Sequence, residues 1–205
     1  MPNPLQRAQF ALAAHQINQL PADTGAEVAF AGRSNAGKSS ALNALTGQKG
    51  LARTSKTPGR TQQMVVFDLP AAGGDEALRL IDLPGYGYAK VPEELRAHWK
   101  HEIDAYLQQR ASLRGVVLIA DIRHPLKDFD RQMLDFCFAS ALPCHLLLTK
   151  ADKLSRNQVA QALAAVRKSF PDGLHATLQA FSTPAGTGVD EARARVVELL
   201  HTPRE

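Results

Sequence analysis

The chain has 205 residues, 44% of them hydrophobic and 21% charged, with a formal net charge of +4 and a pI near 9.2. One domain with a sizeable core fits that length, and a composition so close to the globular average argues against disorder and against a second full domain. The basic balance permits an anionic partner such as RNA, through release of counterions, without requiring one.

In chain order, residues 1–24 read as an N-terminal extension packed on or flanking the domain. His15, Gln16, Asn18 and Gln19 interrupt its apolar residues and no cleavage site follows, so a secretion signal is not expected. The apolar runs, 116–120 and 146–148 among them, fall far short of the ~20 residues a spanning helix needs. A soluble, cytoplasmic protein without a membrane partner is the expectation. Cys137 and Cys144 match neither a zinc nor a redox spacing and read as buried thiols.

From residue 25 to residue 202 short β-branched or leucine-rich runs alternate with helical-period segments, the pattern of an α/β fold; 203–205 are a tail. Strands are expected at 27–31, 62–69, 78–82, 115–121, 145–149 and 176–181, with helices between most of them. Only 70–77, with Gly73-Gly74, joins the second and third, too short for a helical crossover, so these two pair antiparallel.

The first strand runs into Gly32-Arg33-Ser34-Asn35-Ala36-Gly37-Lys38-Ser39, which matches G-x-x-x-x-G-K-[ST] and is followed by a helix-like SSALNALT. Glycines let the backbone curl its N–H groups inward, and the helix offers its positive end to phosphates. Lys38 adds a point charge and Ser39 a magnesium ligand. A nucleophile elbow centred on Ser34 competes weakly, because position 36 is alanine where that motif needs glycine.

Residues 47–61, GQKGLARTSKTPGRT, have no periodicity and four basic residues, and read as a long functional loop. Asp82 closes the third strand in Asp82-Leu83-Pro84-Gly85, a D-x-x-G placed to hold magnesium through water, with a glycine N–H open to a γ-phosphate. Alone, the tetrapeptide could equally be a capping aspartate before a turn. Leu95, Trp99, Ile103, Tyr106 and Leu107 recur at helical spacing over 93–109, so Trp99 reads as core rather than a base-stacking platform. His98, His101 and Glu102 read as a solvated helix face rather than metal ligands. Asp121, Asp128 and Asp130 read as strand-end and helix-capping residues.

Thr149-Lys150-Ala151-Asp152 follows the buried strand HLLL and fits [NT]-K-x-D. A carboxylate there can accept from guanine N1–H and the exocyclic amine, neither of which adenine offers, and it stays unpaired without them. Lys150 lays its aliphatic stem on the base. Phe181-Ser182-Thr183 stands where a backbone loop would touch guanine O6.

Over nearly its whole length the chain resembles the EngB (YihA) family of bacterial ribosome-assembly GTPases, in the Era-related branch of P-loop GTPases. The resemblance rests on QLP, EVAFAGRSNAGKSSALNALT, LARTSKTPGRTQ, IDLPGYGYAKV, GVVLIADIRHPLKDFDRQM and LLLTKADKLSR. It implies a three-layer P-loop GTPase fold, a mostly parallel sheet of about six strands with one antiparallel hairpin and helices on both faces. It implies GTP or GDP held by Gly32, Arg33, Ser34, Asn35, Ala36, Gly37, Lys38, Ser39 and Ser40, and by Gly59, Arg60 and Thr61 of the long loop. Asp82, Leu83, Pro84 and Gly85 would meet the phosphates, and Thr149, Lys150, Asp152, Phe181, Ser182 and Thr183 the guanine. Lys38, Thr61 and Gly85 would be catalytic. Mg2+ would be held directly by Ser39 and Thr61 and through water by Asp82, with Thr61 as the switch I threonine and 82–91 as switch II.

The partner implied is a precursor of the large ribosomal subunit, its rRNA and proteins, met by a monomer that is also needed for normal cell division and septation. Tyr86 replaces the water-orienting glutamine of Ras-like enzymes, so unaided hydrolysis is expected to be slow. Asn35 stands where potassium-using relatives carry asparagine, which makes K+ a candidate second cofactor. The stretch FSTPAGTG departs from the basic FSSLKKTG-like pattern of the family. A P-loop small-molecule kinase and a non-hydrolysing GTP-dependent binding module remain alternatives.

Overall fold

A computed structural model describes residues 3–52, 63–70, 76–86, 93–171, 173 and 175–203, with 93–100 as backbone only. Its strands are β1 (Gln9–Ala14), β2 (Ala26–Gly32), β3 (Met64–Leu69), β4 (Leu78–Asp82), β5 (Leu113–Asp121), β6 (Cys144–Thr149) and β7 (Ala176–Ala180). Its α-helices are α1 (Lys38–Thr46), α2 (Glu93–Gln109), α3 (Asp128–Ala139), α4 (Arg156–Lys168) and α5 (Val189–His201).

The strands form one sheet in the order β1-β3-β4-β2-β5-β6-β7. Pairing is parallel from β4 through β2, β5, β6 and β7, and antiparallel where β3 meets β4 and β1. The expected hairpin is therefore present. β2 and β6 are buried at every position, which is why they read as unbroken apolar runs, as strands covered on both faces do. Successive residues face opposite layers. Val28, Phe30, Val117, Ile119 and Leu147 meet Leu42 and Leu45 of α1 and Val196 and Leu199 of α5. Ala29, Ala31, Val116, Leu118, Leu146 and Leu148 meet Tyr106 of α2, Met133 and Leu134 of α3 and Val166 of α4.

The seventh strand, β1, is the one the sequence did not disclose. QFALAA lacks alternation, and five of its six residues are exposed or half-buried, so no face of it carries a core signal. It pairs along the free side of β3 and so becomes the edge of the sheet in its place. A register shift between Phe10 and Leu12 breaks the ladder with β3. Around it, Leu5 is fully buried, Asn3 Nδ2 donates to Leu45 O at 2.9 Å, and Ile17 N donates to Glu102 Oε2 at 2.8 Å. Glu102 thus ties down the N-terminal segment.

At the amino end of β2, Glu27 is fully enclosed. Its carboxylate accepts from Arg110 Nη2 at 2.7 Å and Nε at 3.1 Å, from Tyr106 Oη at 3.1 Å and from Arg79 Nη1 at 3.3 Å. Burial, then the Glu27 charge, holds the Tyr106 phenol well above its ordinary range. Arg79 and Arg110 also reach the carbonyls of Thr24 and Pro21, so one buried charge cluster locks the chain that leads into β2. Tyr106 and Leu107 bear out the apolar face of α2, while the side chains of Leu95 and Trp99 lie outside the described residues. Cys137 and Cys144 are both buried.

Candidate functional site

β2 ends on Gly32 against β5, where a Cβ would stand 2.6 Å from the Ile119 carbonyl oxygen, so only glycine lets the strand run on into the loop. The chain then curls through left-handed residues, Asn35 at φ 63° and Gly37 at φ 98°, before Lys38 opens α1. Asparagine tolerates that region better than most residues. Ala36 is buried and fastens the loop to the layer beneath α1 and α5. Lys38, Ser39 and Ser40 form the first turn of α1, whose N–H groups have no partners within the helix and carry the positive end of its dipole.

Beside the loop, β4 delivers Asp82, whose carboxylate forms an ion pair with the Lys38 ammonium. Residues 83–86 run along the loop's entry. Leu83 N donates to Phe30 O at 3.0 Å, Ser34 N to Tyr86 O at 3.0 Å, and Tyr86 N to Gly32 O at 3.4 Å. A Cβ at Gly85 would lie 3.5 Å from Ser34 N, an ordinary contact, so packing does not demand glycine there.

The Tyr86 side chain turns away from the loop towards α3. Its hydroxyl donates to Asp130 Oδ1 at 2.9 Å and its ring lies 5.4 Å from that of Phe129, tilted by 33°. Asp130 Oδ2 accepts from Lys127 N at 3.0 Å, so this buried carboxylate both caps α3 and holds the tyrosine. Burial raises the Asp130 carboxyl above its usual range, and raises the Tyr86 phenol further still with help from the Asp130 charge.

On the far side of the loop, Thr149 ends β6 with its hydroxyl between the carbonyls of Ala36 and Ala120. Lys150 adopts φ 61°, and its Nζ reaches Asn35 O at 2.7 Å and Asp121 Oδ2 at 2.9 Å. Asp152 Oδ1 accepts from Ser182 Oγ at 2.7 Å and Oδ2 pairs with Lys153 Nζ at 3.1 Å. The Ser182 bond first, then the Lys153 one, keeps the Asp152 carboxyl below its ordinary range. Phe181 is buried, and its carbonyl takes Ala151 N at 3.2 Å, fixing the two loops to each other. Thr183 is exposed beside them.

Residues 32–40, 82–86, 149–152 and 181–183 therefore meet at the carboxyl ends of β2, β4, β6 and β7, where ligands bind in open parallel sheets. Gly59, Arg60 and Thr61, and 87–91 of the expected switch II, lie outside the described residues. Two carboxylates have a second partner that their place in the sequence does not show. Asp130 is the expected helix cap but also grips Tyr86, and Asp121 is the expected strand end but also grips Lys150. The sequence signal available for Asp121 was its place at the end of β5, beside the strand that ends on Thr149, its pairing partner.

The donor set suits a small hard cation. The Ser39 hydroxyl and the Asp82 carboxylate are oxygen donors at the mouth of the loop, as Mg2+ prefers. Among the described residues no group of three His, Cys, Asp or Glu side chains could hold a metal by itself.

Residues 27–150 match the sequence profile of the family described as 50S ribosome-binding GTPases. A "Probable GTP-binding protein EngB" from Stenotrophomonas maltophilia is 59% identical over 191 residues, spanning 92% of this chain and 93% of that protein. Its namesake from Xylella fastidiosa is 55% identical over 208 residues, covering 100% and 99%. A crystal structure of a "probable GTP-binding protein engB", 22% identical, superposes with a TM-score of 0.67 over 85% of this chain and 98% of the other, which establishes likeness of fold.

Proposed function

This chain belongs to the EngB family of GTPases, and from that premise we propose that it is a magnesium-dependent guanine-nucleotide switch acting on a large-ribosomal-subunit precursor. One observation carries the reading. The Lys38–Asp82 pair and the Asp152–Ser182 pair sit on either side of a single loop, so one ligand with a polyphosphate at one end and a guanine at the other would satisfy both. Residues 25–202 would form the GTPase domain, with 1–24 packed on it and 203–205 a tail.

In this reading the loop N–H groups and Lys38 bind the α-, β- and γ-phosphates, whose oxygens compete with Asp82 for the ammonium. Ser39, with Thr61 from the long loop, would hold Mg2+ directly and Asp82 through water, and the ion would supply positive charge to the phosphates. The Gly85 N–H would meet the γ-phosphate. Arg33, Ser34, Asn35, Ala36, Gly37, Ser40, Gly59, Arg60, Leu83 and Pro84 would line the phosphate side. Thr149, Lys150, Asp152, Phe181, Ser182 and Thr183 would enclose the base.

The Tyr86 hydroxyl is engaged by Asp130, which supports slow unaided turnover. Fast multiple turnover by the purified protein would count against it. Asn35, exposed at the loop's outer bend, is the proposed K+ contact, and equal GTP turnover in potassium and sodium buffers would remove that proposal.

The ribosomal partner is supported by the family profile and the net charge of +4, and a cytoplasmic place of action and a role in cell division go with it. Among the described residues no helix is long and apolar enough to cross a membrane. The test is co-sedimentation with large subunits in GDP and in a non-hydrolysable GTP analogue. Binding that depends on the nucleotide is expected; binding indifferent to it overturns the switch, and displacement of GTP by ATP at equal concentration would favour a kinase.

A further inference from the structure

We infer that Asp121, at the end of β5, is a positioning residue that holds Lys150 extended across the cleft so that its stem is already in place when guanine arrives. The inference rests on the guanine reading and adds a residue to it. Three observations carry it. Lys150 starts in the base-side loop, yet its ammonium lies 2.7 Å from the carbonyl of Asn35 in the phosphate loop, so its methylenes bridge from one loop to the other. The same ammonium lies 2.9 Å from Asp121 Oδ2. The Asp121 carboxylate is itself fixed, accepting at Oδ1 from Arg123 N at 3.1 Å and Nε at 2.9 Å, and at Oδ2 from Arg123 Nη2 at 2.7 Å.

A lysine stem has many rotamers, and ordering it during binding costs affinity. A stem held at its tip by a carboxylate and a carbonyl has met that cost within the protein, which is how preorganisation improves affinity. The Arg123 and Lys150 charges keep the Asp121 carboxyl ionised far below the usual carboxylate range, so the clamp is charged at any working pH. Asp152 would select the base by its hydrogen bonds, whereas Asp121, engaged by Arg123 and Lys150, acts through Lys150. Its loss should therefore weaken every guanine nucleotide alike and leave discrimination against adenine intact.

The experiment measures GDP affinity by displacement of a fluorescent analogue, together with KM and kcat for GTP, on the full chain. Asp121→Ala is expected to raise the GDP Kd and the GTP KM about tenfold, the scale of a lost charge-assisted bond on a flexible group. The kcat should stay within about twofold, since the phosphate machinery is not the part released. Lys150→Met keeps an apolar stem without the ammonium and should show the same loss, and the double variant should be no worse than Lys150→Met alone. Arg123→Ala, at a partly exposed position, frees the carboxylate without removing it and should give a smaller loss in the same direction, which keeps the test open if Asp121→Ala folds poorly. Unchanged GDP affinity in Asp121→Ala, or losses that multiply in the double variant, would overturn the clamp. Failure of the wild-type chain to prefer GTP over ATP would instead sink the guanine reading itself.

Discussion

The Asp152 carboxylate has one oxygen on the Ser182 hydroxyl and the other on Lys153, whose side chain is 61% exposed and free to yield to a ligand. Both oxygens are acceptors, which matches the N1–H and 2-amino donors of guanine. In Asp152→Asn the amide presents one acceptor and one donor, matching xanthine, which has an oxygen at position 2. GTP affinity should drop roughly a hundredfold while XTP affinity rises, because the amide N–H then faces the 2-amino donor of guanine and is left unpaired, whereas the xanthine oxygen accepts it. Competition with the two nucleotides measures the exchange. At the opposite end of the fold, His145 is a separate titrating group. It is buried between Thr177 Oγ1 at 2.7 Å and Gln179 Oε1 at 3.0 Å, an arrangement that a neutral ring satisfies. Burial lowers its pKa to about 4, against about 6.5 when unfolded. The unfolded chain therefore binds more protons between these values, and stability is complete above about pH 6.5 and falls as pH drops towards 4, by up to about 3 kcal/mol. Urea midpoints from pH 7 to pH 5 should decline, and His145→Gln should flatten the slope.

At the scale of elements, the N-terminus of α3 and the chain leaving β4 are joined through one carboxylate. Asp130 accepts a backbone N–H from Lys127 and the Tyr86 hydroxyl, and it is 1% exposed, so each lost partner leaves a buried polar group unsatisfied. Asp130→Ala should cost about 2–3 kcal/mol and Tyr86→Phe about 1–2 kcal/mol. Measured by urea denaturation, the double variant should cost less than the sum, because both remove the same bond. Full additivity would mean that the Tyr86 contact contributes nothing.

For the whole molecule, the N-terminal segment is the part whose weight is least obvious. Beyond β1 it contributes Leu5, fully buried against the layer under α1 and α5, and the carbonyls that Arg79 and Arg110 use around Glu27. Deleting residues 1–24 should cost about 3–5 kcal/mol, from one buried leucine and several orphaned donors, which for a domain of this size lowers Tm by about 10 °C. A thermal melt of the truncated chain within about 2 °C of the intact one would show the segment to be an appendage.

The sequence alone determined the six core strands, the antiparallel hairpin and the order of the site motifs. Each of these is written in near-neighbour chemistry: β-branched runs, a glycine pair too close for a crossover, and glycines framing a lysine. It also determined that Lys38, Asp82, Thr149 and Asp152 belong to one site, because motif order and strand context coincide. Only the tertiary structure decided the rest. β1 depends on an open edge 50 residues away rather than on its own alternation, as its Ala14–Met64 pairing shows. The second tasks of Asp121 and Asp130 depend on which side chains arrive beside them. Lys150 is 29 residues from Asp121, and Tyr86 44 from Asp130; no local period records such meetings, because a carboxylate's partners are set by where the strands end in space.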